Sequence, residues 1–201
     1  MGLLVMVIRY SCLLAAMVAA LSLTACKTEP SPQKLPEISF ANRGPIRMDV
    51  GQLEIQSEYS SPGRSPNVEH LMLISPEAAT IRWAQDRLRP TGRSGFARLQ
   101  IKDAHVTETV LKTDKSFTGM FKEEQGTRYD GALDVAVQIL DDRHFTVSEV
   151  VARANRSKTV AEDASLAEKD RVLYDITESL VRDIDAQLDG LIRSYMSRYV
   201  N

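Results

Sequence analysis

Few side chains in this 201-residue chain could do chemistry, and their spacing narrows what that chemistry would be. The three histidines are His70, His105 and His144. None is part of an HExxH pattern or of a two-histidine helical spacing, so each reads first as a surface or half-buried structural group. Acid–base catalysis would need His105 to meet Glu69 or Asp103 in a cleft, within hydrogen-bond reach. The acidic pairs Glu123-Glu124 and Asp141-Asp142 fall in loop or turn sequence, where charge is normally solvated. Thr91-Gly92-Arg93-Ser94-Gly95 is glycine-rich but precedes a strand, whereas a phosphate-cradling loop opens a helix. Neither a Gly-x-Ser-x-Gly elbow nor a dinucleotide fingerprint occurs. The expectation is a protein that is not an enzyme, with no catalytic residue, cofactor or metal.

The two cysteines carry more information. Residues 3–8 and 12–21 are apolar, broken by Arg9-Tyr10-Ser11, and the run closes on Leu21-Ser22-Leu23-Thr24-Ala25-Cys26. An apolar stretch with one positive charge and a small-residue boundary is the pattern of a secretory signal. Arg9 sits inside the apolar run; a start at Met6 would return it to the charged leading region. Small side chains at Thr24 and Ala25 let a peptidase grip extended backbone, and Cys26 offers a thiol that can become a thioether. Leu23-Thr24-Ala25-Cys26 resembles the lipobox of bacterial lipoprotein precursors. That resemblance implies cleavage between Ala25 and Cys26 and lipid attachment at Cys26, with the bilayer as first partner. Position 27 is Lys. In Gram-negative lipoproteins Asp there favours inner-membrane retention, so the resemblance points to the periplasmic face of the outer membrane, with the inner membrane as the alternative. Cys12 leaves with the signal and Cys26 is acylated, so a disulfide, a thiolate metal site and a cysteine nucleophile are all excluded from the folded domain.

Removing residues 1–25 leaves 176, enough for one domain. The 25 Lys and Arg against 27 Asp and Glu give no basic excess, so no nucleic-acid partner is expected. Residues 26–36 form the acylated start and a tether with three prolines between positions 27 and 36, and 37–201 form a single periplasmic domain.

The elements of that domain follow from periodicity. Leu53–Tyr59 alternates as a half-buried strand. Ser60–Asn67 is loop by composition. Val68–Ile74 reads as a buried strand or helix lead-in, with a ligand lip as the competing reading. Ser75-Pro76-Glu77 opens a helix with an N-cap, an early proline and an acid, and Ala78, Ile81, Ala84 (or Gln85) and Leu88 follow at helical spacing. Trp83 fits either a solvent-facing or a core position. Ala97, Leu99 and Ile101 alternate, then the phase slips to Ala104, Val106 and Val110, which predicts a bulge near Lys102-Asp103. Tyr129–Ile139 and Phe145–Ser157 should pair as a hairpin across Asp141–His144. Ser165-Leu-Ala-Glu168 is a capping box opening a long amphipathic helix with Val172 or Leu173, Ile176, Leu180, Ile184, Leu188, Leu191, Tyr195 and Tyr199 on one stripe. At up to 35 residues it would bend near Gly190 or project past the sheet. The order β-α-β-β-β-α predicts an α+β two-layer sandwich, an antiparallel sheet of about four strands with two helices on one face.

The connection Lys112–Arg128 carries Phe117, Met120 and Phe121 among charges, and long loops in compact domains tend to be functional. These three are candidate partner-binding residues, inserting into a partner or a bilayer; folding back over the open sheet face is the competing reading. By length, element order and lipobox, the stretch from Leu53 to Met196 is similar to two envelope families: the lipopolysaccharide-assembly lipoprotein that plugs the outer-membrane translocon, and the auxiliary lipoprotein of ABC-type lipid transport systems. The resemblance implies a non-catalytic accessory role in envelope assembly or lipid transport, with an envelope protein as partner. The alternatives are a carrier holding lipid or a small amphiphile between sheet and helices, and, further off, an envelope hydrolase.

Overall fold

The computed structural model describes residues 35–112 and 125–200. Cys26, Ala25 and the apolar trio Phe117, Met120 and Phe121 lie outside them. Seven strands and two helices follow in the order β1 (Ile46–Met48), β2 (Gln52–Ser57), α1 (Pro76–Arg87), β3 (Leu88–Pro90), β4 (Phe96–Asp103), β5 (Val106–Val110), β6 (Gln125–Leu140), β7 (Thr146–Ala161) and α2 (Leu166–Tyr195). The architecture is the expected α+β one: a sheet of four lanes, β2, then β4 and β5 end to end, then β6, then β7, with both helices on one face.

The long hairpin β6–β7 organises the sheet. Leu133, Val135, Val137 and Ile139 point to one face of β6 and are at most 2% exposed. Their neighbours Ala97, Leu99 and Ile101 of β4 share that face and are also buried. β4 and β5 pair with the same edge of β6, and the register shifts between Ile101 and Asp103, where the phase slips in the sequence. One pairing differs from the antiparallel expectation: β2 runs parallel to β4, Leu53 opposite Ala97 and Ile55 opposite Leu99. The reason is the crossover through α1, which returns the chain to the end where β2 began.

Helix α2 begins with the capping box intact: Ser165 Oγ accepts from the Glu168 N–H, and Glu168 Oε2 accepts from the Ser165 N–H at 2.7 Å. Its buried stripe is Leu173, Ile176, Leu180, Ile184, Leu188, Ile192 and Met196. Each such side chain contributes about 1.5–3 kcal/mol when fully buried. The stripe departs from expectation at its end, where Tyr195 is exposed and Ile192 faces inward. The last turns do not project. They land on a small parallel sheet of β1 and β3, where Met48 bridges Val200 and the Asp49 N–H donates to the Tyr199 carbonyl.

Helix α1 starts at Ser75, whose Oγ accepts from the Ala78 N–H at 3.2 Å. Its buried face is Ala79, Thr80, Trp83, Ala84 and Arg87; of the predicted stripe Ala84 and Leu88 are buried and Ile81 packs on the core, while Ala78 is exposed. A buried ion network draws Trp83 and Arg87 inward as well. Asp185 of α2, fully buried, accepts from Trp83 Nε1 and from Arg87 Nε, both at 2.8 Å, and Arg87 also reaches Asp189 Oδ1 at 2.6 Å. Arg87 further donates to the carbonyls of Arg43 and Gly44. Arg43 Nη1 lies 2.9 Å from Asp185 Oδ2 but out of line for a hydrogen bond, so that oxygen has charge compensation without a directed proton. Trp83 is therefore a core residue with its N–H satisfied.

Candidate functional site

Among the described residues no element packs on the face of the sheet opposite the helices, and much of that face is polar. Strand alternation puts Glu54 of β2, Arg98, Gln100 and Lys102 of β4, Asp130, Asp134 and Gln138 of β6, and Glu149 and Arg153 of β7 on it. Cross-strand pairs tie it together: Arg98 to Glu54 at 2.9 Å, Lys102 to Glu149 at 3.2 Å and Arg153 Nε to Asp134 at 2.6 Å; within β6, Arg128 pairs with Asp130 at 2.8 Å. Hydrogen bonds from Arg128 and Ser157 hold the Asp130 carboxyl below the usual carboxylate range, against the opposing pull of desolvation, which is the largest single influence.

At the middle of this face two acceptors have no donor among the described residues. Gln138 is 9% exposed; its Nε2 donates to Gln100 Oε1 at 3.4 Å, while its Oε1 is buried and unpaired. Asp134 Oδ1, on the same face four residues away, is buried and unpaired as well. A buried polar atom left without a partner costs about 1–3 kcal/mol, so a face carrying two of them gains from a covering surface that donates hydrogen bonds.

A shallow hollow of about 270 Å³ adjoins these residues, lined by His105, Asp130, Gly131, Ala132, Asn155, Arg156 and Ser157. It exists because Gly131 and Ala132 lay a low floor between longer side chains. His105 does meet Asp103: its Nδ1 lies 2.8 and 2.9 Å from the two carboxylate oxygens. Asp103 also accepts from the His105 backbone N–H at 3.2 Å, which makes the pair a turn at the interruption between β4 and β5. Such a dyad fixes the imidazole ring, but nucleophilic catalysis also needs a hydroxyl or thiol hydrogen-bonded to that ring. Among the described residues none makes that bond.

Glu69, the other acid considered for His105, does something else. It is 5% exposed and accepts from Tyr59 Oη at 2.5 Å, Ser61 Oγ at 3.2 Å, Asn67 Nδ2 at 2.8 Å and the Val106 N–H at 2.8 Å. Burial pushes its carboxyl up, but these donors outweigh burial and hold it below the usual range. The same contact and burial raise the Tyr59 hydroxyl well above its ordinary value. Glu69 ties the loop after β2 to β5. His70 follows it in a 3₁₀ turn, and His144 occupies the β6–β7 turn with φ 63°, stacked on Phe96 at 4.2 Å. The structure brings none of the three histidines together.

Val68–Ile74 proves to be a lead-in to α1 rather than a buried strand. Val68, Met72 and Ile74 turn inward, whereas Leu71 and Leu73 stand 68% and 67% exposed. Between sheet and helices, the space a carrier would need is filled among the described residues by Trp83, Leu99, Ile101, Leu133, Ile176, Leu180 and Ile184. The hollow between β7 and the start of α2, lined by Val160, Ala161, Ala164 and Val172 among others, is open and about 280 Å³. That is below the usual range for a drug-sized ligand pocket.

No protein-family model and no curated protein matches the sequence. Among solved structures, the chain is similar to a minor lipoprotein from Acinetobacter baumannii, with 13% identity over 73% of this chain and 93% of that one and a TM-score of 0.39. It is also similar to rare lipoprotein B from Shewanella oneidensis, with 11% identity over 71% and 95% of the two chains and a TM-score of 0.35. No residue role passes from either to this chain. No described helix is long and apolar enough to cross a membrane.

Proposed function

We propose that this chain is a lipid-anchored envelope lipoprotein acting as a non-catalytic interaction component of envelope assembly or lipid transport. In this reading Cys26 is acylated, residues 26–36 are the tether, and the domain is held at the periplasmic face of the outer membrane. The observation that carries the interaction role is the sheet face that no described element covers, with its two buried acceptors, Gln138 Oε1 and Asp134 Oδ1, that have no donor among the described residues. Ordinary solvated faces leave such atoms in water or pair them within the fold. A face that buries them unpaired is completed by another molecule's donors. The partner is an envelope protein presenting N–H groups. The loop bearing Phe117, Met120 and Phe121 supplies a second, apolar point of contact.

Photo-cross-linking in intact cells tests this. A benzophenone residue at Gln100 or Arg153 on the open face should capture one envelope protein, whereas the same residue at Arg182 on the outer side of α2 should not. Equal capture from both faces, or none from the open face, would sink the proposal.

A further inference from the structure

Among the described residues the exposed large apolar side chains include Leu71 and Leu73 before α1, Phe145 and Val147 at the β6–β7 turn, Val110 at the end of β5 and Leu166 at the start of α2. The path of the N-terminal segment distinguishes them. Followed backwards from Gly44, the chain passes Arg87, which binds the Arg43 carbonyl at 3.1 Å. It next passes Asp86, which accepts from the Phe40 N–H at 2.8 Å and Ser39 Oγ at 2.9 Å. Then it reaches Arg82, paired with Glu37 at 2.7 Å. These partners descend α1 towards its N-terminus. From Arg82 to Pro76 is about 9 Å along the helix, and the two residues from Glu37 to Leu35 span about 7 Å of extended chain. Leu35 therefore arrives near the start of α1, against the core, in the neighbourhood of the segment that carries Leu71 and Leu73.

Cys26 lies nine residues before Leu35, at most about 30 Å of chain. Fatty chains on that cysteine would hold the α1 end of the domain beside the bilayer. There, Leu71 and Leu73 alternate outward from Met72 and Ile74, which pack on the core, so the two leucines form a short lip on a fixed backbone. We infer that the Leu71–Leu73 lip is the domain's membrane-contact surface, dipping into the headgroup boundary of the bilayer to which Cys26 is attached. The inference rests on the anchoring role proposed for Cys26. A lip at that place sets the domain's orientation: the α1 start faces lipid, while the β6–β7 turn points away from it. Two leucines alone are too small for stable membrane binding, and the acyl anchor supplies the proximity that makes their insertion effectively intramolecular.

The test uses the mature chain from Cys26, its thiol coupled to a maleimide lipid in phosphatidylethanolamine/phosphatidylglycerol vesicles, so the anchor is supplied whether or not cells acylate the protein. Trp83 is buried and gives a constant background emission. Leu73→Trp should lose emission when the vesicle lipids carry brominated acyl chains, while Phe145→Trp keeps its own. Quenching at Phe145→Trp but not at Leu73→Trp overturns the inference, as does quenching at neither. Failure of native acylation would appear instead in metabolic palmitate labelling, leaving this measurement intact.

Discussion

Single residues here show how burial decides what a polar group does. Glu69 looks in the sequence like a loop acid beside a histidine; in the fold it is the shared acceptor for Tyr59, Ser61, Asn67 and the Val106 N–H. Its folded pKa is depressed, so its stabilisation is fully present above the unfolded carboxyl value near pH 4.5 and is lost as pH falls through the lower folded value. Glu69→Gln should lower the urea midpoint at pH 7 and flatten the decline of that midpoint between about pH 5 and pH 3. An unchanged pH profile would show that other carboxylates, such as Asp86 or Asp189, govern acid unfolding. Arg87 and Asp185 teach the same lesson. Both have the composition of a solvated helix face, and both are buried because each, with Trp83, satisfies the other. Nothing local in the sequence marks them, since their partners lie about a hundred positions apart.

At the scale of elements, the close fit of α2 on the hairpin depends on the absence of one side chain. A Cβ at Gly131 would sit 2.7 Å from Ile176 Cγ2 and 3.0 Å from Leu180 Cδ1. Gly131→Ala should therefore destabilise the domain by about 1–3 kcal/mol, read as a shifted denaturation midpoint with the same slope. A neutral effect would mean that α2 slides on the sheet at little cost. Much of the element plan was legible beforehand. The alternation of Leu133–Ile139, the slip at Lys102-Asp103, the Ser75 cap and the Ser165–Glu168 box each report a local rule of backbone geometry. What local pattern leaves out depends on neighbours: the burial of Arg87 follows Asp185, and the parallel β2–β4 pair follows the crossover. The three-residue strands β1 and β3 are too short to show a period, and only their pairing makes them visible.

For the whole molecule, the proposed arrangement has three surfaces with separate tasks: an anchored end near α1, a packed helical face, and a polar sheet face left for a partner. Cys26→Ser should abolish palmitate incorporation and shift the protein from the membrane to the soluble periplasmic fraction, with no change in the domain's thermal midpoint. Retention in the membrane fraction would argue for an uncleaved apolar helix instead. The sequence by itself determined the longer strands and both described helices, because caps and apolar periods act over a few adjacent residues. Only the tertiary structure decided that Glu69 is a pin, that His105 and Asp103 form a turn, that the layer between sheet and helices is full, and that Gln138 and Asp134 hold unpaired oxygens. Those properties depend on which distant atoms share a volume from which water is excluded, and no local pattern encodes that.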